Sequence, residues 1–110
     1  MSHYYEEQDL DRFPEIGKHR PDLYDSFMNY YQRVMAAGAL TVRDKALIAL
    51  AVAHTVQCPY CIDAYTRAAL SSGSNLEEMT EAIHVAAAIR GGAALIHGIQ
   101  VHNVAAKITF

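Results

Sequence analysis

The sequence predicts an all-α fold, and three observations carry that reading. Apolar residues recur at helical spacing along most of the chain. Pro, Gly, Thr and Asn stand where helices start and stop. No apolar/polar alternation is long enough to make a strand.

Each element follows in order. Residues 1–20 form a polar lead-in of mixed charge, broken by Phe13-Pro14. Pro21 opens the first helix, in which Leu23, Phe27, Tyr30, Tyr31, Val34 and Met35 share helical spacing. Gly38 closes it. Thr41 is an N-cap, with Asp44 three residues on as an approximate capping box. The next helix, Ala46 to Val56, is apolar nearly all round and is expected to be buried. Pro59 breaks it and suits the first position of a third helix, which makes Cys58 the N-cap. That helix runs to about Ser72 and stops at Gly73. Asn75 caps a fourth, with Glu77 and Glu78 in the first turn, where the helix dipole favours anions. Gly91-Gly92 is expected to interrupt it, or to let another backbone approach. A last apolar helix then covers Ala93 to Ala106.

One domain accounts for all 110 residues. Hydrophobic residues make up 52% of the chain and charged residues 19%, more apolar surface than so small a core can hide. The surplus predicts a homo-oligomer. A net charge of -3 without a basic block argues against nucleic acid. Met1 to Gln8 lacks the apolar core of a signal peptide, and the longest apolar run, Ala46 to Ala53, is too short to span a bilayer. The expectation is a cytoplasmic protein without a membrane partner. Two cysteines three residues apart do not make a secreted disulfide scaffold.

The chemistry concentrates at Cys58-Pro59-Tyr60-Cys61. Such a pair can be a redox dithiol, half of a zinc site, or two inert core residues. Zinc needs two further ligands, and His84, His97 and His102 do not stand at finger spacing. A helix start favours the redox reading, because free N–H groups of the first turn stabilise a thiolate. Three residues of helix also bring the two sulfurs to one side. The pair can exchange electrons as dithiol and disulfide, or reduce a peroxide through a sulfenic acid that the second thiol resolves. A thioredoxin fold is excluded, because it needs strands around the motif and both flanks here are helical.

His54 lies one turn before Cys58 and is either a proton partner for the thiols or a core histidine bonded to a backbone carbonyl. His84, on an apolar face of the later helix, ranks behind it. Tyr65 lies four residues after Cys61 on the same face, as a site hydroxyl or as a packed aromatic. Tyr24, Tyr30 and Tyr31 are read as core or interface aromatics. No cofactor or metal is expected.

The run from Leu40-Thr41 through Leu47–Ala53 to Cys58-Pro59-Tyr60-Cys61, followed by Glu81-Ala82-Ile83 and Val85-Ala86-Ala87, resembles the carboxymuconolactone decarboxylase superfamily, in its AhpD-like alkylhydroperoxidase branch. With Ile89-Arg90-Gly91-Gly92 and Tyr4-Tyr5, the chain looks closest to arsenosugar-biosynthesis-associated peroxidase-like proteins. The resemblance implies a helical bundle that assembles into trimers or hexamers. It also implies reduction of hydroperoxides by the C-x-x-C pair, recharged by a thiol donor such as a lipoylated protein. In that pattern Cys61 meets the peroxide and Cys58 resolves it, whereas the helix-cap argument makes Cys58 the more acidic thiol. Two relay positions depart from the pattern. Its glutamate, twelve residues before the first cysteine, is Ala46 here, and its histidine, four after the second, is Tyr65.

Two functions of different class follow. One is a thiol-dependent peroxidase acting through Cys58 and Cys61 with help from His54. The other is a non-catalytic thiol protein that binds a soft metal or trivalent arsenic, ligands that prefer sulfur. A structural oligomer with a vestigial site is the third and blander reading.

Overall fold

The computed structural model describes residues 6–108. His3, Tyr4 and Tyr5 lie outside the described residues, as do Thr109 and Phe110. A 3-10 helix, Glu7–Gly17, comes first. Four α-helices follow: α1 Pro21–Met35, α2 Val42–Val56, α3 Pro59–Ser71 and α4 Leu76–Lys107. Among the described residues there is no strand.

The helix starts stand where the capping residues predict. Thr41 Oγ1 accepts the Asp44 N–H at 3.0 Å. Asn75 and Glu78 make a reciprocal capping box, at 2.8 and 2.9 Å. The C-terminus of α1 is held from outside, by Lys45 Nζ donating to the carbonyls of Val34 and Ala36 at 2.7 and 2.6 Å.

Helices α2 and α3 end by the same device. At the end of α3, Gly73 N–H reaches Leu70 O and Ser74 N–H reaches Ala69 O, with Gly73 at φ 93°. At the end of α2, Gln57 N–H reaches His54 O and Cys58 N–H reaches Ala53 O, with Gln57 at φ 57°, ψ 51°. Both are Schellman closures, which require a left-handed residue. At Gly73 that conformation is free of Cβ strain, while at Gln57 it is not.

The core lies where α2, α3 and α4 meet. Ala46, Leu50, Ala69 and Met79 form it, with Leu47, Tyr65 and Ala68 packed alongside. Arg43 pairs with Glu78 and Arg90 donates to Thr55 O, so α2 and α4 are tied at both ends and run in the same direction. Small residues let the helices approach closely, but they bury little. Leu50 is the one large side chain fully buried among the described residues.

Three expectations are corrected. The lead-in is a 3-10 helix that runs through Pro14. A proline lacks the N–H but already has a helical φ, so it fits a succession of short turns. Helix α2 is not buried all round. It buries the stripe Ala46, Leu50 and Ala53 and leaves Ile48, Val52 and Val56 half exposed or more. Gly91-Gly92 does not interrupt α4, and no atom of another segment lies within 4 Å of where their Cβ atoms would be. Two glycines cost a helix about 2 kcal/mol in all, too little to break one this long.

The continuous α4 is long and apolar enough to cross a membrane, by length and composition, which the count of uninterrupted apolar runs missed. Its first half carries Met79 and Ala86 into the protein core. Its second half stands clear of the body, with Leu95 81% and Val101 69% exposed. The radius of gyration is accordingly 19.0 Å, against about 13 Å for a closed domain of this length.

Two substitutions test this account in urea denaturation. Leu50→Ala is expected to cost about 2–5 kcal/mol, because the surrounding helices cannot collapse onto the cavity. Gln57→Gly is expected to gain about 1 kcal/mol by relieving the left-handed backbone.

Candidate functional site

The site begins at the α2–α3 junction. Cys58 closes α2 with its N–H, caps α3 with its sulfur and accepts the Ile62 N–H on its carbonyl at 2.9 Å. Cys61 N–H donates to Cys58 Sγ at 3.2 Å. Pro59 occupies the first helical position between them. Both cysteines are free thiols and both are partly exposed.

The two sulfurs are not equivalent. Burial pushes the Cys61 thiol up to about 11, with help from its hydrogen bond to Cys58 and from the charge that Cys58 would carry. Cys61 therefore holds its proton at neutral pH and offers it to Cys58. Cys58, at the N-cap, is the sulfur that the helix-cap argument favours.

Above the thiols opens a cavity of about 700 Å3. Cys58, Tyr60, Cys61, Ala64 and Tyr65 form its floor on α3. Phe27, Met28 and Tyr31 form one wall, on α1. The 3-10 helix forms the other with Leu10, Phe13 and Ile16, and carries Asp9, Arg12 and Glu15. Tyr60 is the link between floor and wall, since its hydroxyl donates to Asp9 Oδ2 at 2.9 Å. That hydrogen bond raises the Tyr60 phenol above its usual range. Burial raises Tyr31, and the Cys61 charge adds to the effect; both residues line the cavity.

The structure brings three of the sequence candidates together on the cavity: Cys58, Cys61 and Tyr65. Tyr65 also packs against the core cluster. His54 is half-buried and does not line the cavity. Its Nδ1 donates to Leu50 O at 2.8 Å, one turn back in its own helix. A carbonyl only accepts, so Nδ1 carries the proton and Nε2 is the basic nitrogen. His97 makes the same local bond to Ala93 O. His84 is exposed and away from the cavity wall. Ala46, where the resembled pattern has a glutamate, sits in the core at 2% exposure. Among the described residues, no group of three His, Cys, Asp or Glu side chains stands ready to hold a metal ion.

Sequence reasoning missed Asp9, Phe13, Met28 and Tyr31. Phe27 and Tyr31 had a signal, since they stand four apart on one helix face, but that spacing equally marks core aromatics. Asp9 had none.

The unequal thiols predict a pH profile. Iodoacetamide should label Cys58 faster than Cys61 at pH 7, read by peptide mass. Cys61 labelling should climb as pH rises towards 11, because only the thiolate is alkylated. Equal rates at pH 7 would contradict the assignment.

With this geometry in hand, known proteins give the affiliation. The model of the carboxymuconolactone decarboxylase family matches residues 21–103. A curated relative from Paracoccus denitrificans, called uncharacterized protein 4 in cox locus, is 48% identical over 83 residues, spanning 76% of this chain and 75% of its own. A crystal structure of a protein from Methanobacterium thermoautotrophicum superposes with a TM-score of 0.73 at 34% identity, over 76% of this chain and 94% of that one. A carboxymuconolactone decarboxylase family protein from Legionella pneumophila superposes with a TM-score of 0.70 at 29% identity, over 84% of each chain. The helical core that presents Cys58 and Cys61 is thus a shared one, and the chain belongs to the carboxymuconolactone decarboxylase family.

Proposed function

We propose that this chain is a thiol-dependent peroxidase that reduces hydroperoxides through Cys58 and Cys61. One observation carries the reading: two free thiols at a helix N-terminus, on the floor of a largely apolar cavity.

Cys58 is the attacking sulfur. As a thiolate it attacks the distal oxygen of ROOH and displaces the alkoxide. The O–O bond breaks, an S–O bond forms, and RO⁻ takes a proton to leave as ROH. Cys61 then gives up its proton as its sulfur attacks the sulfenic sulfur. The S–S bond forms and the hydroxyl leaves as water with the Cys61 proton. In sum, two thiols and ROOH give a disulfide, ROH and H2O. A dithiol donor returns the disulfide to thiols by exchange and is itself oxidised. Tyr31 stands at the cavity with a phenol that can hydrogen-bond to the peroxide oxygens, while the Tyr60 hydroxyl is engaged by Asp9. Tyr31 supplies a donor where Ala46 and Tyr65 replace the glutamate and histidine of the resembled pattern. Free thiols in a chain with two cysteines suit a reducing, cytoplasmic setting.

A second copy of the chain covers the outer half of α4. Between Gly91 and Ala106 there is no Asp, Glu, Lys or Arg, so this surface offers nothing to a charged partner. Leu95, Ile96, Ile99, Val101 and Val104 are all more than half exposed on it. An uncharged stretch of helix with exposed apolar residues along it is best covered by more of itself.

Three measurements test the proposal. One equivalent of organic hydroperoxide should remove both thiols of the reduced protein and two mass units of hydrogen, read by thiol titration and intact mass. With Cys61→Ser, a dimedone adduct should appear on Cys58, whereas Cys58→Ser should give none. An adduct on Cys61 alone would reverse the roles, and untouched thiols would end the peroxidase reading. Light scattering should give a particle larger than one 12.2 kDa chain, and Leu95→Glu with Ile99→Glu should reduce it to that mass.

A further inference from the structure

The 3-10 helix is the part of the site that the family does not explain. The family match begins at residue 21, and the 3-10 helix ends at Gly17. Yet this segment builds one whole wall of the cavity over the thiols.

Its seating is specific at three points. Asp9 accepts the Tyr60 hydroxyl, within the C-x-x-C turn itself. Phe13 packs edge-on against Tyr24 of α1, with centroids 5.7 Å apart and rings at 75°. Gly17 is buried under the same ring. A Cβ there would lie 2.7 Å from Tyr24 Cγ and 2.9 Å from its Cβ, the stem of the side chain rather than a tip that can swing away.

Its charges are already matched. Arg12 Nε donates to Glu15 Oε2 at 2.8 Å, and Arg12 Nη1 lies 3.9 Å from Asp9 Oδ1. The wall thus has one cation, engaged by two carboxylates. Its balance is negative, and no cation is left to receive an acidic group. Leu10, Phe13 and Ile16 turn the rest of the wall apolar.

We propose that the Glu7–Gly17 helix is a selectivity strap, which admits uncharged, apolar organic molecules to Cys58 and Cys61 and repels anionic ones. Resting on the peroxidase reading above, the molecules concerned are uncharged organic hydroperoxides with a bulky apolar group. The strap is a specificity element and takes no part in bond making.

The test separates the strap from the peroxidase chemistry by using reagents that need only a thiol. Reduced protein is treated with N-benzylmaleimide, which is neutral and apolar, and with 3-maleimidopropionate, which is anionic. The ratio of the two rates is compared with the same ratio on glutathione. The wild-type ratio is expected to exceed that of glutathione by about tenfold, the discrimination that an apolar pocket supplies. Gly17→Val, which unseats the strap from Tyr24, is expected to bring the ratio to within about twofold of glutathione while far-UV circular dichroism is kept. Should that variant unfold, Glu15→Gln decides: the side chain is 57% exposed, so the change spares the packing, neutralises one carboxylate and frees Arg12, and must speed the anionic reagent alone. A wild-type ratio equal to that of glutathione overturns the strap, as does a Gly17→Val protein that folds and keeps the ratio. Cumene hydroperoxide then tests the other reading. If it leaves the thiols intact while the maleimide ratio holds, the strap stands and the peroxidase fails.

Discussion

Cys58 is the residue on which the site depends, because two helix ends meet at three of its atoms. Its amide hydrogen completes the closure of α2, its sulfur caps α3, and its carbonyl starts the α3 hydrogen-bond ladder. A serine or aspartate at an N-cap would serve the helix as well or better. A sulfur there spends the first-turn N–H on a nucleophile instead. The position also requires the chain to reverse within a single residue, and Gln57 does so in a left-handed conformation that its Cβ disfavours. Strain of this kind gathers beside reactive groups because the flanking structure holds it in place. Here the flanking structure is two helices, tied at both ends of α2 to α4.

The core that supports this junction is thin. Alanines dominate it, so α2, α3 and α4 sit close and hold the thiols firmly, yet little apolar area leaves water. The same economy leaves much of α1 and the outer half of α4 exposed. A cavity of about 700 Å3 and a projecting apolar helix therefore share a cause: the chain has more apolar surface than its own core takes up. One part of the surplus lines the approach to the thiols. The other is available to further copies of the chain.

Much of the fold was legible. The caps at Thr41, Cys58 and Asn75, the stop at Gly73 and the proline starts at Pro21 and Pro59 all stand where local rules put them. Each depends on atoms within one turn of the residue itself. The failures have two causes, one tertiary and one local. A 3-10 helix through Pro14 has no strong local signal and holds because Gly17 and Phe13 seat it on Tyr24. The Gly91-Gly92 pair reads as punctuation, but the hydrogen-bond ladder on either side outweighs two glycines.

For the site the division runs the same way. The sequence by itself determined the all-α class and most helix boundaries. It also determined that Cys58 and Cys61 share one helix start, because capping and spacing act over three or four residues. Only the tertiary structure decided that Tyr31 and the 3-10 helix face the thiols. It alone revealed that His54 is satisfied by Leu50 O and that Asp9 reaches Tyr60 from 51 residues away. Periodicity states that a face is apolar but not which face meets it. That choice is made by packing among segments distant in the chain, where steric fit and desolvation are settled jointly.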